Sequence, residues 1–345
     1  MRLHRPDRER GLRHNLVERL AVIGGGAWGT ALALVARRAG LVPVLWARDP
    51  DVVAAINERH ENPLFLPDVA LDPEITATAD IRAAMAGAEA ALLAVPAQFL
   101  RNIIERLGPY LRPGIPVLHC AKGIETRSLK TMSEVAAEIL PDTPSAVLSG
   151  PTFAAEVARD LPTAVTIASR DASLGRRFIA TLASGRFRPY LSDDPTGAEI
   201  GGAVKNVLAI ACGVVSGRGL GDNARAALIT RGLAEMVRLG VAKGARAETF
   251  RGLSGLGDLV LTCSATQSRN YTLGLALGRG ESPNTVLHGR RSVVEGMATA
   301  AAVTRLSARL AIEMPICEVV DALLHRGGSI DEMIDLLLRR PYRTE

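Results

Sequence analysis

The sequence predicts an α/β fold in two parts, a doubly wound sheet followed by an all-α domain. Three observations carry the prediction. Short apolar runs alternate with helical patterns through the first half of the chain. One of these strand–helix steps contains a run of three glycines. After Ala198 the apolar periodicity is almost wholly helical. At 345 residues the chain also exceeds one typical core and suits two domains.

Taken in order, residues 1–18 are polar, Arg-rich and aperiodic, and read as a flexible extension. Leu20 to Ile23 is a short buried strand, Gly24 to Gly29 a tight turn, and Thr30 to Ala39 a helix stopped by Gly40. Val42 to Trp46 is a second strand, which completes a βαβ unit. Further strands are expected at Ala90 to Val95, Val117 to Cys120, Ala146 to Leu148 and Ala164 to Ala168. Their alternation with helices implies a largely parallel sheet over residues 19–192. The turn-rich stretch Ser192 to Gly197 then leads into a helical domain, residues 193–345. Its clearest helices are Arg225 to Leu239, Val293 to Leu306 and Ile330 to Leu338.

Composition narrows the function. Apolar residues make up 48% of the chain and aromatics only 3%, which suits tightly packed helix–sheet layers. No apolar run is read as a membrane span, so no membrane insertion is expected. The first twenty residues lack the apolar core of a signal peptide. Cys120, Cys212, Cys263 and Cys317 lie far apart with no CxxC pair. They read as buried thiols in a reducing compartment, and no metal site is expected. The net charge of +5 is modest and much of the excess sits in the tail, so no nucleic-acid partner is required. Of 41 basic residues only Lys122, Lys130, Lys205 and Lys243 are lysines. Arg stays charged near neutral pH, whereas burial and neighbours can move the pKa of a Lys.

The turn Gly24-Gly25-Gly26-Ala27-Trp28-Gly29 has the GxGxxG pattern. Gly24 permits the turn, Gly26 lets the backbone approach a pyrophosphate, and Gly29 lets the helix pack on the strand. The helix start beside Ala27 and Trp28 offers free N–H groups and partial positive charge to phosphates. This is a dinucleotide site of the Rossmann type. The second strand ends in Ala47-Arg48-Asp49, where the ribose is read. Arg48 there favours a 2′-phosphate, as in NADP; alternatively it is solvated and Asp49 caps the next helix.

Four segments carry candidate chemistry. Gly201-Gly202-Ala203-Val204-Lys205-Asn206 opens a helix, with both glycines one turn before Lys205. Either a ligand or another helix must approach the backbone closely there. Gly252-Leu253-Ser254-Gly255-Leu256-Gly257-Asp258 reads as a loop whose Asp258 either caps the next helix or holds an ammonium. Ser268-Arg269-Asn270 suits a phosphate or carboxylate near a helix start, or is a cap beside a surface Arg. Ala121-Lys122-Gly123-Ile124-Glu125 and Gly150-Pro151-Thr152-Phe153-Ala154 each follow a strand, where α/β sheets place ligands.

With GGGAWGTALA, AKGIE, SGPTFAAEV, GAVKNVLAIACG, GLSGLGDLVLTC, SRN and VVEG together, the chain resembles the bacterial NAD(P)-dependent glycerol-3-phosphate dehydrogenases from about Leu20 to about Leu338. The resemblance implies a Rossmann domain, a helical domain and a cytoplasmic homodimer. It implies interconversion of dihydroxyacetone phosphate and sn-glycerol 3-phosphate, a phosphorylated small molecule that supplies phospholipid synthesis. It makes Lys205 the proton donor and acceptor. Lys122, Gly150, Thr152, Asp258, Ser268, Arg269 and Asn270 line the substrate, and Lys122, Ala154, Arg269, Val293 and Glu295 touch NADP or NAD. The family often has Ser where this chain has Ala27, and the tail has no counterpart in the family pattern. Two alternatives stand beside it: a related 3-hydroxyacid or sugar-acid dehydrogenase, against which AKGIE and SRN argue, and a redox sensor that holds NADPH without turnover, which needs no proton donor.

Overall fold

The computed structural model describes residues 18–282, 285, 286, 288 and 293–339. The expected extension therefore lies, except for Glu18, outside the described residues. The strands among them are β1 (Arg19–Ile23), β2 (Val42–Trp46), β3 (Glu61–Asn62), β4 (Leu66–Ala70), β5 (Thr76–Thr78), β6 (Ala90–Leu93), β7 (Val117–His119), β8 (Ser145–Ser149), β9 (Thr163–Ala168) and β10 (Phe187–Ser192). Eight form one sheet in the order β10-β9-β8-β7-β6-β1-β2-β5, while β3 and β4 pair separately. Neighbours in the large sheet are parallel except β8 and β9. Leu20 to Ile23 are fully buried because helices cover both faces of the sheet.

The helices of this part are α1 (Ala27–Arg38), α2 (Pro50–Arg59), α3 (Ile81–Met85), α4 (Leu100–Leu107), α5 (Met132–Ile139), α6 (Ala154–Ala158) and α7 (Ala172–Leu182). The chain leaves β10 at Ser192 and enters α8 (Pro195–Gly217), followed by α9 (Gly221–Ala242), α10 (Asp258–Ser264), α11 (Arg269–Gly278), α12 (Glu295–Arg309), α13 (Pro315–His325) and α14 (Ile330–Leu338). The second core gathers around α8, from Ile200 to Val214.

Several expectations need correction. Helix α1 starts at Ala27, three residues before Thr30, because Gly26 already serves as its N-cap. Helix α8 starts at Pro195, inside the stretch read as turns, with Asp194 capping Gly197 N. Gly201 and Lys205 therefore sit within that helix and do not open it. The same 23-residue helix is long and apolar enough to cross a membrane, with a mean hydropathy of 1.5, against the reading that no run is; 89% of that window is buried inside the protein. Strands β3, β4, β5 and β10 were not anticipated. β10 contains Pro189, which demotes a strand pattern except at an edge, and β10 is an edge strand.

Helices α8 and α11 cross almost backbone to backbone. A Cβ on Gly274 would lie 2.0 Å from the Ile210 carbonyl oxygen, and one on Gly213 would lie 2.1 Å from that of Tyr271. This crossing brings the start of α11, and so Arg269 and Asn270, beside the middle of α8. The carboxyl ends of β1, β2, β6, β7 and β8 open toward the same place.

Candidate active site

The glycine turn at the end of β1 is shaped by three close approaches. Gly24 has φ +134°, open to glycine alone, and its Cβ would meet the Ala94 carbonyl oxygen at 2.6 Å. A Cβ on Gly29 would sit 1.8 Å from the Gly24 oxygen, which is the helix-on-strand contact expected of it. Gly26 has nothing within 4 Å of its Cβ position, so space remains for a ligand over the start of α1. Gly25 also matters, since its Cβ would strike Ala47. Asn62, fully buried, donates to Gly25 O at 3.0 Å and to Thr30 Oγ1 at 2.8 Å and so braces the turn. Sequence reasoning missed Asn62, because a single Asn in a short hairpin has no motif around it.

The open polar groups around this turn fit a dinucleotide. Trp28 Nε1 is buried with no partner among the described residues. Arg48 is exposed at the end of β2, while the Asp49 carboxylate accepts from Asp51 N as the cap of α2. The capping expected of Asp49 in the alternative reading is therefore present, and Arg48 is left open to solvent at the strand end. Glu295, the first residue of α12, accepts from Ala97 N at 3.2 Å through Oε1, while its buried Oε2 has no partner among the described residues. Burial raises its pKa to about 7, against the Ala97 N–H and the Arg269 guanidinium, which pull it down. Ala154 begins α6 and is partly buried, and Val293 is exposed just before α12.

Across the crevice lies a compact charged cluster. Lys205 Nζ donates to Asp258 Oδ1 at 2.5 Å and to Thr262 Oγ1 at 2.9 Å. Lys122 Nζ donates to the other oxygen, Asp258 Oδ2, at 2.8 Å, and to Gly150 O at 2.8 Å; its third contact, Thr152 Oγ1 at 3.5 Å, is long. Asp258 is fully buried. A buried carboxylate shared by two ammoniums is compensated, and one positive charge remains in excess. Burial lowers the Lys205 pKa to about 8, with Lys122 adding to the effect and Asp258 opposing it.

Local folding explains the placement. Gly252 to Gly257 is not a loop: Leu253–Gly257 form one π-helical turn that runs directly into α10. Asp258 is thus inside a helix, and its side chain bonds both lysines and does not cap. Gly255 is needed because a Cβ there would lie 2.2 Å from the Phe250 carbonyl oxygen. On α8, Gly201 meets the Ser254 backbone and Gly202 meets the Lys122 stem and Ser149. The paired glycines therefore admit the turn that carries Asp258 and the side chain of Lys122. Thr262 was missed; it stands one turn after Asp258, so the helical spacing alone puts it on the same face.

The SRN segment divides. Ser268 Oγ accepts from Tyr271 N as the cap of α11, and its own proton has no acceptor among the described residues. Asn270 donates to Asn206 Oδ1 at 2.9 Å and accepts from Gly296 N at 2.9 Å, tying α8, α11 and α12 together. Arg269 begins α11, where burial lowers the pKa of its guanidinium and the Glu295 carboxylate opposes the effect.

Comparison with known proteins identifies the family. Residues 19–175 match the model of the NAD-dependent glycerol-3-phosphate dehydrogenase N-terminus, and residues 194–335 match that of its C-terminus. The chain is 57% identical over 332 residues to glycerol-3-phosphate dehydrogenase [NAD(P)+] of Rhodospirillum rubrum, covering 96% of this chain and 95% of that one. The enzyme of the same name from Caulobacter vibrioides is 56% identical, with 95% and 99% covered. A solved glycerol-3-phosphate dehydrogenase from Coxiella burnetii superposes with a TM-score of 0.91 at 40% identity, over 94% of this chain and 99% of that one. A ketopantoate reductase from Ralstonia eutropha, at 19% identity and a TM-score of 0.58 over 93% of this chain and 100% of that one, shares the fold alone.

Proposed function

This chain belongs to the NAD-dependent glycerol-3-phosphate dehydrogenases, and we infer that it catalyses the reaction named for them with NAD or NADP. The reaction interconverts dihydroxyacetone phosphate and sn-glycerol 3-phosphate, the latter for phospholipid synthesis. The observation that carries the assignment of roles is the buried Asp258 shared by Lys205 and Lys122.

A nicotinamide dinucleotide held at the glycine turn would supply the hydride chemistry at the ketone carbon. Lys205, as an ammonium, faces the charge that grows on the carbonyl oxygen during reduction and passes its proton there; in oxidation its neutral amine takes the proton from the alcohol. General acid catalysis of this kind contributes roughly 10²–10⁴-fold. Asp258 and Thr262 hold Nζ in place, each through one hydrogen bond. Lys122 keeps its bonds to Asp258 and Gly150, and the long contact to Thr152 is the one a substrate oxygen replaces. Arg269, with the Ser268 hydroxyl proton, the second amide proton of Asn270 and the rim of Gly150 and Thr152, completes the substrate pocket. Together with Lys122, Arg269 meets the phosphate dianion, whose binding energy fixes the reacting carbon.

For the cofactor we assign Gly24, Gly26, Ala27, Trp28 and Gly29 to the pyrophosphate turn and Arg48 to the 2′-phosphate. Lys122, Ala154, Arg269, Val293 and Glu295 face the nicotinamide side. Residues 19–192 thus act as the cofactor domain and 193–345 as the catalytic domain. A cytoplasmic homodimer without nucleic-acid or membrane partners belongs to the same proposal; the family resemblance supports the compartment and the dimer, and the burial of α8 inside the protein supports the lack of membrane insertion. The test mixes purified protein, NADPH and dihydroxyacetone phosphate and follows the absorbance of the reduced cofactor. Loss of absorbance that requires the phosphate ester is expected. Cofactor binding without turnover would replace this reading with that of a redox sensor.

A further inference from the structure

A second cavity of about 680 Å³ lies away from Lys205, between strands β9 and β10 and the segment from Arg246 to Ser254. Its size falls within the range of small-molecule sites. Its wall is chiefly apolar, with Tyr190 and Leu191 exposed on β10, Leu253 opposite, and Ala172 at the start of α7. Its charges are unbalanced. The Arg246 guanidinium is spent on Asp193, with one bond at 2.9 Å, whereas the Glu248 carboxylate on the same rim is exposed and has no partner among the described residues. The rim is therefore net negative. Ser254, 1% exposed, lines the same cavity, and its hydroxyl has no partner among the described residues.

We propose that this cavity is a second ligand site, for a small amine with an apolar body. The ammonium meets Glu248 and the exposed face of Tyr190, an arrangement that favours a cation. The apolar body covers Leu191, Leu253 and Ala172, and Ser254 serves a polar atom of the ligand. An anion such as a phosphate ester is disfavoured by the rim, which separates this site from that of the substrate.

The cavity is wired to the charged cluster. The Ser254 backbone packs directly on Gly201, one turn before Lys205, and Ser254 is four residues before Asp258. Asp194, the cap of α8, accepts from Arg246 N at 2.9 Å and from Thr249 Oγ1 at 2.6 Å, so the cavity wall also holds the start of α8. Occupancy therefore acts on the Asp258–Lys205 pair; only this coupling, and not the binding, rests on the function proposed above.

The experiment titrates phenethylamine, phenethyl alcohol and phenylacetate into the full chain by calorimetry, with no turnover involved. We expect saturable one-to-one binding of the amine, with the alcohol weaker by roughly two- to fivefold, as one exposed ion pair allows, and phenylacetate weaker still. Glu248→Gln should erase the difference between amine and alcohol. Ala172→Trp should fill the cavity and abolish binding of both. Absence of saturable binding in the millimolar range would overturn the proposal. So would equal binding by the Ala172→Trp chain, or dissociation of a dimer by that substitution, which would show that a second copy covers the cavity.

Discussion

Arg269 is the residue whose replacement distinguishes substrate from fold. It follows the capping Ser268, and burial lowers the pKa of its guanidinium against the pull of the Glu295 carboxylate. A charge-assisted hydrogen bond to the phosphate is worth roughly 1.5–3 kcal/mol. Arg269→Ala should therefore lower kcat/KM for dihydroxyacetone phosphate by roughly tenfold to a few hundredfold. Unphosphorylated dihydroxyacetone should lose far less, and equal losses at saturating NADPH would move the phosphate site to Lys122. Arg48 answers a different question, that of the cofactor. NADPH should be used at least as well as NADH, and Arg48→Asp should shift preference toward NADH by placing a negative charge at the 2′-phosphate. An unchanged ratio of catalytic efficiencies would remove Arg48 from the site. Both arginines could be singled out as candidates because each stands at a position with a geometric meaning, a strand end and a helix start. Thr262 and Asn62 were not, because each acts only through a partner that folding brings to it.

At the scale of elements, glycines decide how closely α8 and α11 approach. Gly274 lies within α11, where helix propensity alone favours Ala by roughly 0.5–1 kcal/mol. Its Cβ would, however, meet the Ile210 carbonyl oxygen at 2.0 Å, and backbone cannot yield as a side chain can. Overpacking of this kind costs roughly 1–3 kcal/mol, so the steric term wins. Gly274→Ala should lower the melting temperature by several degrees and weaken activity through the displaced Arg269. A melting temperature equal to or above that of the parent would show that the helices can part without cost. The strands of the βαβ unit were readable from their buried apolar runs. The edges were not: β10 carries Pro189 and exposed residues, and β5 is a short edge strand that depends on its neighbour β2. The start of α8 was misread because Pro195 and Gly197 look like turn residues, although Pro in the first turn of a helix is favourable.

The proton chemistry is a property of the whole molecule. Lys205 comes from the helical half and Lys122 from the sheet, and Asp258 joins them only when the two cores are packed together. The sequence could single out these lysines because the chain otherwise prefers Arg. It could not show that one carboxylate serves both, nor how far burial moves the Lys205 pKa. That value gives the most direct test of the account. With Lys205 depressed to about 8, the ammonium needed for reduction is present below that pH and lost above it. The neutral amine needed for oxidation is present above it and lost below. The measurement is kcat/KM for dihydroxyacetone phosphate reduction and for sn-glycerol 3-phosphate oxidation across the same pH range, each at saturating cofactor. The account predicts limbs of opposite slope that share an inflection near pH 8. Lys205→Arg should abolish both, since a guanidinium neither gives nor takes the proton. Profiles that are flat or slope the same way through that range, or an Arg variant that retains substantial activity, would contradict it.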